Sequence, residues 1–446
     1  MDKEYSLERI PPLARSDLFS VVLIRIGANT SLSQFMLGAT LGHSMSFWQA
    51  MLATLLGSLI LEFIGLGLGL IGCREGLPTS ILARWCGFGR IGSAMAGFAI
   101  AISLLGWFGV QNGVCAKSLE YVLNGKLDFG WCATISGIFI TVLVALGFKG
   151  LNLTAKVAVP LFFAVMIWVA LNTLTAIDIK ELINIIPADN DTMTLSAGAT
   201  MVAGGCIVAM LTTPDISRYC QNSKHVFWML TISIIVGEFI VNGVSILIAK
   251  AMGTDDVVNI LIQNAGWIGV ICTILAVIKI NDINLYSLSL NMSNVIECIT
   301  GKKINYVILT LIAGSIGTFF TVIGILDNFV EFLIIAGVIF PPIAGIMLTD
   351  YYILRTNRKL LDSTREEGQL PSNADTPLIN YASLIAWALG SLAGMTMTIG
   401  IPSVNSIFIS AGIYLFLSIL KKFFNKNPKE IKNDQGFNSS DRRHSR

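Results

Sequence analysis

Apolar runs of about twenty residues recur along the chain, each bounded by a short polar or glycine-bearing stretch. A helix needs ~20 apolar residues to cross ~30 Å of hydrocarbon, and a helix satisfies its own backbone hydrogen bonds there. The pattern predicts twelve spans, over 17–42, 47–72, 90–121, 131–148, 154–175, 194–213, 225–250, 265–296, 304–323, 327–349, 379–396 and 403–423. Two of the runs are interrupted by polar and glycine residues: Gly27-Ala28-Asn29-Thr30-Ser31 in the first and Ala203-Gly204-Gly205-Cys206 in the sixth. Carriers built from two five-span repeats bind their cargo where the first helix of each repeat is broken, so these are the places to look for a site.

The polar segment 356–377, with Glu366-Glu367-Gly368 and Pro371, separates a ten-span unit from the last two spans. That unit divides into two five-helix repeats, 17–175 and 194–350, and a helical pair follows at 379–423. Residues 1–16 form a polar N-terminal segment, and 426–446 form a charged tail expected to be disordered. No small-residue cleavage signal follows the first span, which argues against a cleaved signal peptide.

Composition sharpens the class. With 54% hydrophobic residues, 13% charged and a mean hydropathy of +0.72, the chain is not a soluble domain; such domains carry about 25% charged residues. The net charge of +2 says little, but its placement orients the chain. Arg74, Arg84, Arg90, Lys149, Arg218, Lys224, Lys302, Lys303, Arg355, Arg358 and Lys359 follow even-numbered spans, whereas the other side holds mainly Lys126, Lys180 and a set of acids including Asp128, Asp178, Asp255 and Asp256. Positive loops stay inside, so both termini are expected in the cytoplasm of a multi-pass cell-membrane protein. The eight cysteines are scattered without metal-like spacing and read as buried small apolar residues. No Ser/His/Asp set, His-rich metal spacing or phosphate loop stands where chemistry could be done, so neither an enzyme, a cofactor nor a nucleic-acid partner is expected.

Polar groups inside the spans are few and clustered. In span three, Trp107 and Gln111 are four residues apart and share a helix face. A flat indole beside an amide suits a flat, hydrogen-bonding heterocycle; a packing Trp and a Gln bonded to a neighbouring helix is the competing reading. Span six offers the bare backbone of Gly204 and Gly205 and the thiol of Cys206, and ends in Thr213-Pro214-Asp215-Ile216-Ser217-Arg218. Span eight holds Lys279-Ile280-Asn281-Asp282-Ile283-Asn284. Each ionised group at bilayer depth costs at least ~2.5 kcal/mol, so this cluster must face a cavity or a partner. Either Lys279 and Asp282 neutralise each other at i,i+3, or Asn281 and Asn284 bind cargo while Lys279 or Asp282 serves coupling. Arg25, just before the first break, is either a gate or the partner of an acid. Glu62 and Glu238 read as hydrogen-bonded to neighbouring helices.

Four stretches together resemble the nucleobase:cation symporter family, and within it the cytosine permease branch: Gly76-Leu77-Pro78-Thr79-Ser80-Ile81-Leu82-Ala83-Arg84 with Gly87-Phe88-Gly89, Gly106-Trp107-Phe108-Gly109, Pro214-Asp215-Ile216-Ser217-Arg218-Tyr219, and Asn281-Asp282-Ile283-Asn284-Leu285-Tyr286. The resemblance implies an all-helical, leucine-transporter-like fold of two inverted repeats with two further helices, and a substrate held between spans one, three, six and eight. It implies that Trp107 stacks on the base, that Asn281 or Asn284 reads its polar edge, and that Gln111 and Asn29 add contacts; at the second break the backbone of Gly205 and the small thiol of Cys206 are what this chain offers. Arg25, Gly27, Lys279 and Asp282 fall where gating and coupling are expected.

The chain departs from the branch in having Leu104 where a glutamine is expected and Cys206 where an aromatic residue would complete a base sandwich. Lys279 replaces a hydroxyl residue near the possible sodium site between the first break and span eight. Its ammonium is expected to stand in for sodium, giving proton coupling or none, with sodium or proton left open as the coupling ion. The expected function is import of a nucleobase such as cytosine or a purine by alternating access. Carriers of a hydantoin, a hydroxymethylpyrimidine, an amino acid or an amine on the same fold are alternatives, as is a membrane sensor that does not transport. The expected partners are the planar heterocycle and the lipid bilayer, without an obligate protein partner.

Overall fold

A computed structural model describes residues 8–29, 31–146, 150–175, 177–187, 192–302, 304–372 and 376–425, without the side chains of 28, 29, 150–156, 294 and 425. The expected 426–446 tail, its disorder included, lies outside the described residues. The described elements are almost all helical: α1 (Leu18–Asn29), α2 (Leu32–Ser44), α3 (Phe47–Glu75), α4 (Thr79–Ala83), α5 (Gly89–Val122), α6 (Phe129–Ala145), α7 (Gly150–Leu174) and α8 (Ile179–Ile183) come first. They are followed by α9 (Leu195–Leu211), α10 (Thr213–Ser217), α11 (Ser223–Ile234), α12 (Asn242–Met252), α13 (Val257–Thr300), α14 (Tyr306–Val322), α15 (Phe329–Ile339), α16 (Pro341–Leu348), α17 (Arg358–Glu366), α18 (Tyr381–Thr396) and α19 (Pro402–Asn425).

Among the described residues, seven helical stretches are long and apolar enough to cross a membrane, and five shorter apolar helices of 10–17 residues accompany them. Polar residues outside the apolar runs set where the helices begin. Ser46, Asp128, Thr194, Asn222, Asp256 and Asn305 each accept a first-turn backbone N–H at the start of α3, α6, α9, α11, α13 and α14, which satisfies donors that have no partner inside the helix. Large apolar side chains such as Phe63, Phe139, Trp168, Phe319 and Phe416 remain exposed on the outer faces. Exposed apolar surface on this scale is what a bilayer covers.

The first expected break is present but sits late in its window. Gly27 is still inside α1, which runs to Asn29, and the extended Ser31 (φ −139°, ψ 163°) leads into α2. The second does not fall where the glycines suggested. Helix α9 runs unbroken through Ala203-Gly204-Gly205-Cys206 and stops at Leu211; Thr212 (φ −87°, ψ 10°) is the hinge before α10. Pro214 lacks the N–H that would continue the ladder, which explains a stop at this point. The glycines instead permit close packing. A Cβ on Gly204 would collide with the Leu333 carbonyl of α15, and one on Gly205 would lie 2.5 Å from Leu37 Cδ1 of α2.

Span eight begins near its expected bound: the stretch α13, Val257–Thr300, is two helices joined at a kink at Gly266 (φ 51°, ψ −129°), and the second of them carries the span. Span seven contains a π-helical segment, Ile235–Val241, between α11 and α12, and span ten divides at Phe340 into α15 and α16. The polar 356–377 segment holds the amphipathic α17.

The most extensive packing joins α5 to α13, with α3 against α9, α2 against α12, α6 against α14 and α7 against α13; α18 and α19 pair with one another and lean on α16. The N-terminal segment is fastened to this bundle by the Ile10 N–H on the Gly76 carbonyl (3.0 Å) and the Ser16 N–H on the Tyr219 carbonyl (2.9 Å). Arg9 adds an ion pair to the buried carboxylate of Glu75 (3.1 Å), which also accepts from Arg365 (2.9 Å) and the Tyr351 hydroxyl (2.6 Å).

Candidate functional site

A cavity of about 310 Å³ lies where the broken helices meet the two longest ones. The α1–α2 wall contributes Arg25, Ser31, Ser33 and Gln34; α5 contributes Leu104, Trp107 and Gln111; α9 and α10 contribute Gly205, Cys206, Thr212 and Asp215; and α13 contributes Asn284, Ser287 and Asn291. They belong to spans one, three, six and eight, the four that the family resemblance implies. Its size falls at the low end of the ~300–1,000 Å³ typical of small-ligand pockets. A larger cleft of about 830 Å³ lies at the basic end of the bundle, away from the helix breaks. Its arginines are already engaged: Arg15 donates to the Cys220 carbonyl, and Arg74 and Arg358 pair with Asp362.

Trp107 presents its half-buried indole to the cavity, and its ring meets Phe332 edge-on at 5.3 Å and Phe329 at 6.2 Å. It is the only aromatic residue in the described lining. Gln111, one turn further along α5, is fully buried, and neither end of its amide has a hydrogen-bond partner among the described residues. A buried amide left this way loses about 1–3 kcal/mol of hydration, which a ligand or a water in the cavity would restore. The alternative of a Gln bonded to a neighbouring helix is not what the structure holds.

The two span-eight asparagines separate. Asn284 lines the cavity, while Asn281 does not. Asn281 Nδ2 donates to the Phe108 carbonyl (3.4 Å) and its Oδ1 accepts from Asn284 Nδ2 (3.1 Å). Successive helical residues are rotated by ~100°, so residues three apart point in directions ~60° apart. Asn281 therefore faces α5 and orients Asn284, a correction to its expected place at the substrate.

The charged residues separate as well. Lys279 does not pair with Asp282; its ammonium crosses to α1 and donates to the Gly27 carbonyl (2.5 Å). That carbonyl is among the last four of α1, which lack intrahelical partners and carry the negative end of the helix dipole. Asp282 is half-buried and lies outside the cavity lining. Arg25, 1% exposed, has no acid in ion-pair range among the described residues. It donates instead to the Ala209 carbonyl (3.0 Å) and Thr213 Oγ1 (3.4 Å), capping the C-terminal end of α9 from across the cavity. Asn29 ends α1, and its side chain lies outside the described residues.

Gln34 escaped the sequence reading. Its Nε2 donates to Glu238 Oε2 (2.8 Å) and Asn242 Oδ1 (2.9 Å), and its Oε1 accepts from the Cys206 thiol (3.5 Å). The signal was available as the Ser31, Gln34 spacing just past the break, one helical turn apart. Glu62 accepts from Thr231 on α11 (2.8 Å), so both intramembrane glutamates do bond to neighbouring helices. Two of the stretches that carried the family resemblance also hold one another, through the Thr79 N–H on Asp215 Oδ1 (2.8 Å) and the Thr79 hydroxyl on the Leu211 carbonyl (3.1 Å).

The fold is shared with the inward-facing conformation of Mhp1 (TM-score 0.75, 16% identity, 93% of this chain and 92% of that one). It is also shared with Mhp1, a nucleobase-cation-symport-1 family transporter, in a closed conformation with bromovinylhydantoin bound (TM-score 0.70, 18% identity, 92% and 94%). Cytosine permease of Escherichia coli (strain K12) is 28% identical over 422 residues, 94% of each chain. The sequence profile of the permeases for cytosine/purines, uracil, thiamine and allantoin matches residues 14–415, nearly the whole apolar part, and the chain belongs to that family, the nucleobase:cation symporters.

Proposed function

We propose that this permease carries a nucleobase, cytosine or a purine, across the cell membrane by alternating access. The observation that carries this reading is Gln111, a buried amide without a partner among the described residues, which lines the cavity one turn from the only aromatic plane of the described lining. A planar ring against Trp107 would offer its polar edge to Gln111 and Asn284, while Gly205 and Cys206 close the far side with small groups. The second reading, a hydantoin or other small heterocycle, is favoured by the lack of an aromatic opposite Trp107 and by Leu104 on the same wall. No covalent step is needed for either.

The proposed topology has twelve crossings, two five-helix repeats and both termini in the cytoplasm. Packing of α5 on α13 and of α6 on α14 supports it, since each pair is offset by five spans, as two symmetry-related repeats require. Coupling is proposed to do without sodium: the Lys279 ammonium on the Gly27 carbonyl occupies the helix end where a cation would bind. The test is uptake of radiolabelled cytosine, adenine, hypoxanthine, uracil and hydroxymethylpyrimidine in transport-deficient cells, with sodium or with choline. Uptake of one base, indifferent to the cation, is expected. Absence of uptake for every base sinks the substrate reading; uptake that follows the sodium gradient sinks the proposed role of Lys279.

A further inference from the structure

Glu238 is fully buried in the π-helical segment between α11 and α12, inside a stretch apolar enough to span the membrane. Its two oxygens are not equivalent. Oε2 accepts from Gln34 Nε2 (2.8 Å) and Asn242 Nδ2 (3.4 Å), while Oε1 has no partner among the described residues. No cation lies within ion-pair distance of it among the described residues. Among the described residues, the charged and titratable groups on the elements packed against this segment are Arg25 on α1, His43 on α2, Glu62, Cys73, Arg74 and Glu75 on α3, Lys224 and His225 on α11, and Lys250 on α12. Arg25 is committed to the Ala209 carbonyl and Thr213, Lys250 to the Ile185 carbonyl, Glu62 to Thr231, and Glu75 to its arginines. Across the cavity wall, the Cys206 thiol is tied to the same Gln34.

An ionised carboxylate in such a place is a buried charge without a counter-ion, which is expensive, whereas a neutral acid is not. The arrangement matches an acid whose carbonyl oxygen accepts two N–H groups and whose other oxygen binds the proton. π-Helical turns inside α-helices often mark functional positions, and here Glu238 lies in one and meets Gln34 of α2. Gln34 is the link: one face of its amide holds the carboxyl, and its side chain lines the cavity.

We propose that Glu238 is the proton-carrying group of this carrier, loaded at Oε1 and coupled to cargo through Gln34. The inference rests on the carrier reading above. Loading forms one O–H bond and breaks none within the protein; the proton comes from bulk water on one side and returns to it on the other. Cargo that turns the Gln34 amide weakens or restores its bond to Oε2, and that difference couples the two bindings.

Glu238→Gln tests this, because glutamine keeps an oxygen acceptor for Gln34 and Asn242 but cannot titrate. In proteoliposomes with cytosine as probe, an inside-alkaline gradient should drive wild-type accumulation by up to about tenfold per pH unit for one proton per cargo, since one unit is ~1.4 kcal/mol. The variant should fall to simple equilibration while keeping cytosine counterflow at equal pH. Accumulation by the variant equal to wild type overturns the proposal. Infrared difference titration of the purified protein gives a reading that needs no cargo: wild type should show a protonated-carboxyl C=O band that Glu238→Gln lacks. Absence of a difference between the two overturns the proposal, whether or not any base is carried. The band together with failed counterflow of every base would sustain the proton site and overturn the nucleobase reading. If the variant fails to fold, cytosine-evoked proton uptake by wild-type vesicles decides, and no proton movement during cytosine counterflow-competent transport refutes it.

Discussion

Trp107 and Gln111 show how much one helix face can decide. The indole is held by edge contacts to Phe329 and Phe332, so its orientation is set before any ligand arrives. Removing it in Trp107→Ala should weaken substrate affinity about tenfold, from lost ring contact worth ~0.5–1.5 kcal/mol beyond burial; unchanged uptake and Km would end its proposed role. Asn284→Ala should weaken uptake by about 5- to 150-fold at normal membrane abundance, the range set by ~1–3 kcal/mol for an unmet buried hydrogen bond. Asn281→Ala should act more mildly, because it touches Asn284 rather than the cavity, and the double variant should be less than additive. At the basic end, burial draws the Asp362 carboxyl upward, but the Arg365 hydrogen bond and the charges of Arg358, Arg365 and Arg74 outweigh it and hold the group below its ordinary 3.8. A carboxylate lowered on folding adds stability above its unfolded pKa and loses it as pH falls through the folded value. Asp362→Asn should therefore melt lower than wild type near neutral pH, with the gap closing in strongly acid buffer.

At the scale of elements, the instructive case is α9. In a membrane helix two adjacent glycines fit either an unwound stretch or a close helix contact, and the local sequence is the same for both. What decides is Leu333 on α15, more than a hundred residues further along the chain, whose carbonyl occupies the space a side chain on Gly204 would need. Gly204→Ala should then lower thermal stability in detergent by about 1–3 kcal/mol, as overpacking does. A tolerated alanine would mean that α9 is not packed this way. The real hinge at Thr212 was readable from Pro214 two residues on, and the first break from Asn29 and Ser31. Glu238 illustrates the opposite limit: its neighbour on α2 is Gln34, a pairing that no spacing in either segment announces.

For the whole molecule, the paired capping of broken helix ends is the feature that matters for a cycle. Lys279 holds the end of α1, and Arg25 on α1 holds the end of α9. Two cations thus tie α13 to α1 and α1 to α9, the helices that the proposed alternating access would have to move. Lys279→Ala should leave uptake slow, because α1 loses its partner on α13; a Lys279→Ala permease that works at wild-type rate would show that the contact is incidental. If a small cation replaces the lost ammonium, sodium should partly restore uptake in that variant alone, and uptake measured with sodium or choline reads this directly.

The sequence by itself determined that the chain is a bundle of membrane helices, and it pointed to a break in the first span and to polar clusters in the third, sixth and eighth. Apolar run length and the polar residues that cap or interrupt it are local properties, and the bilayer makes them decisive. It also placed Trp107 and Gln111 on a common face, because helical spacing does so without reference to the rest of the fold, while Asn284 was only one of four polar residues in the span-eight cluster. Tertiary structure alone decided which face met which neighbour. It turned Asn281 toward α5, sent Lys279 to Gly27 rather than Asp282, kept α9 continuous through its glycines, and brought Gln34 to Glu238. Each of these depends on a partner far away in the chain, where the free energy of contact outweighs what the local residues prefer.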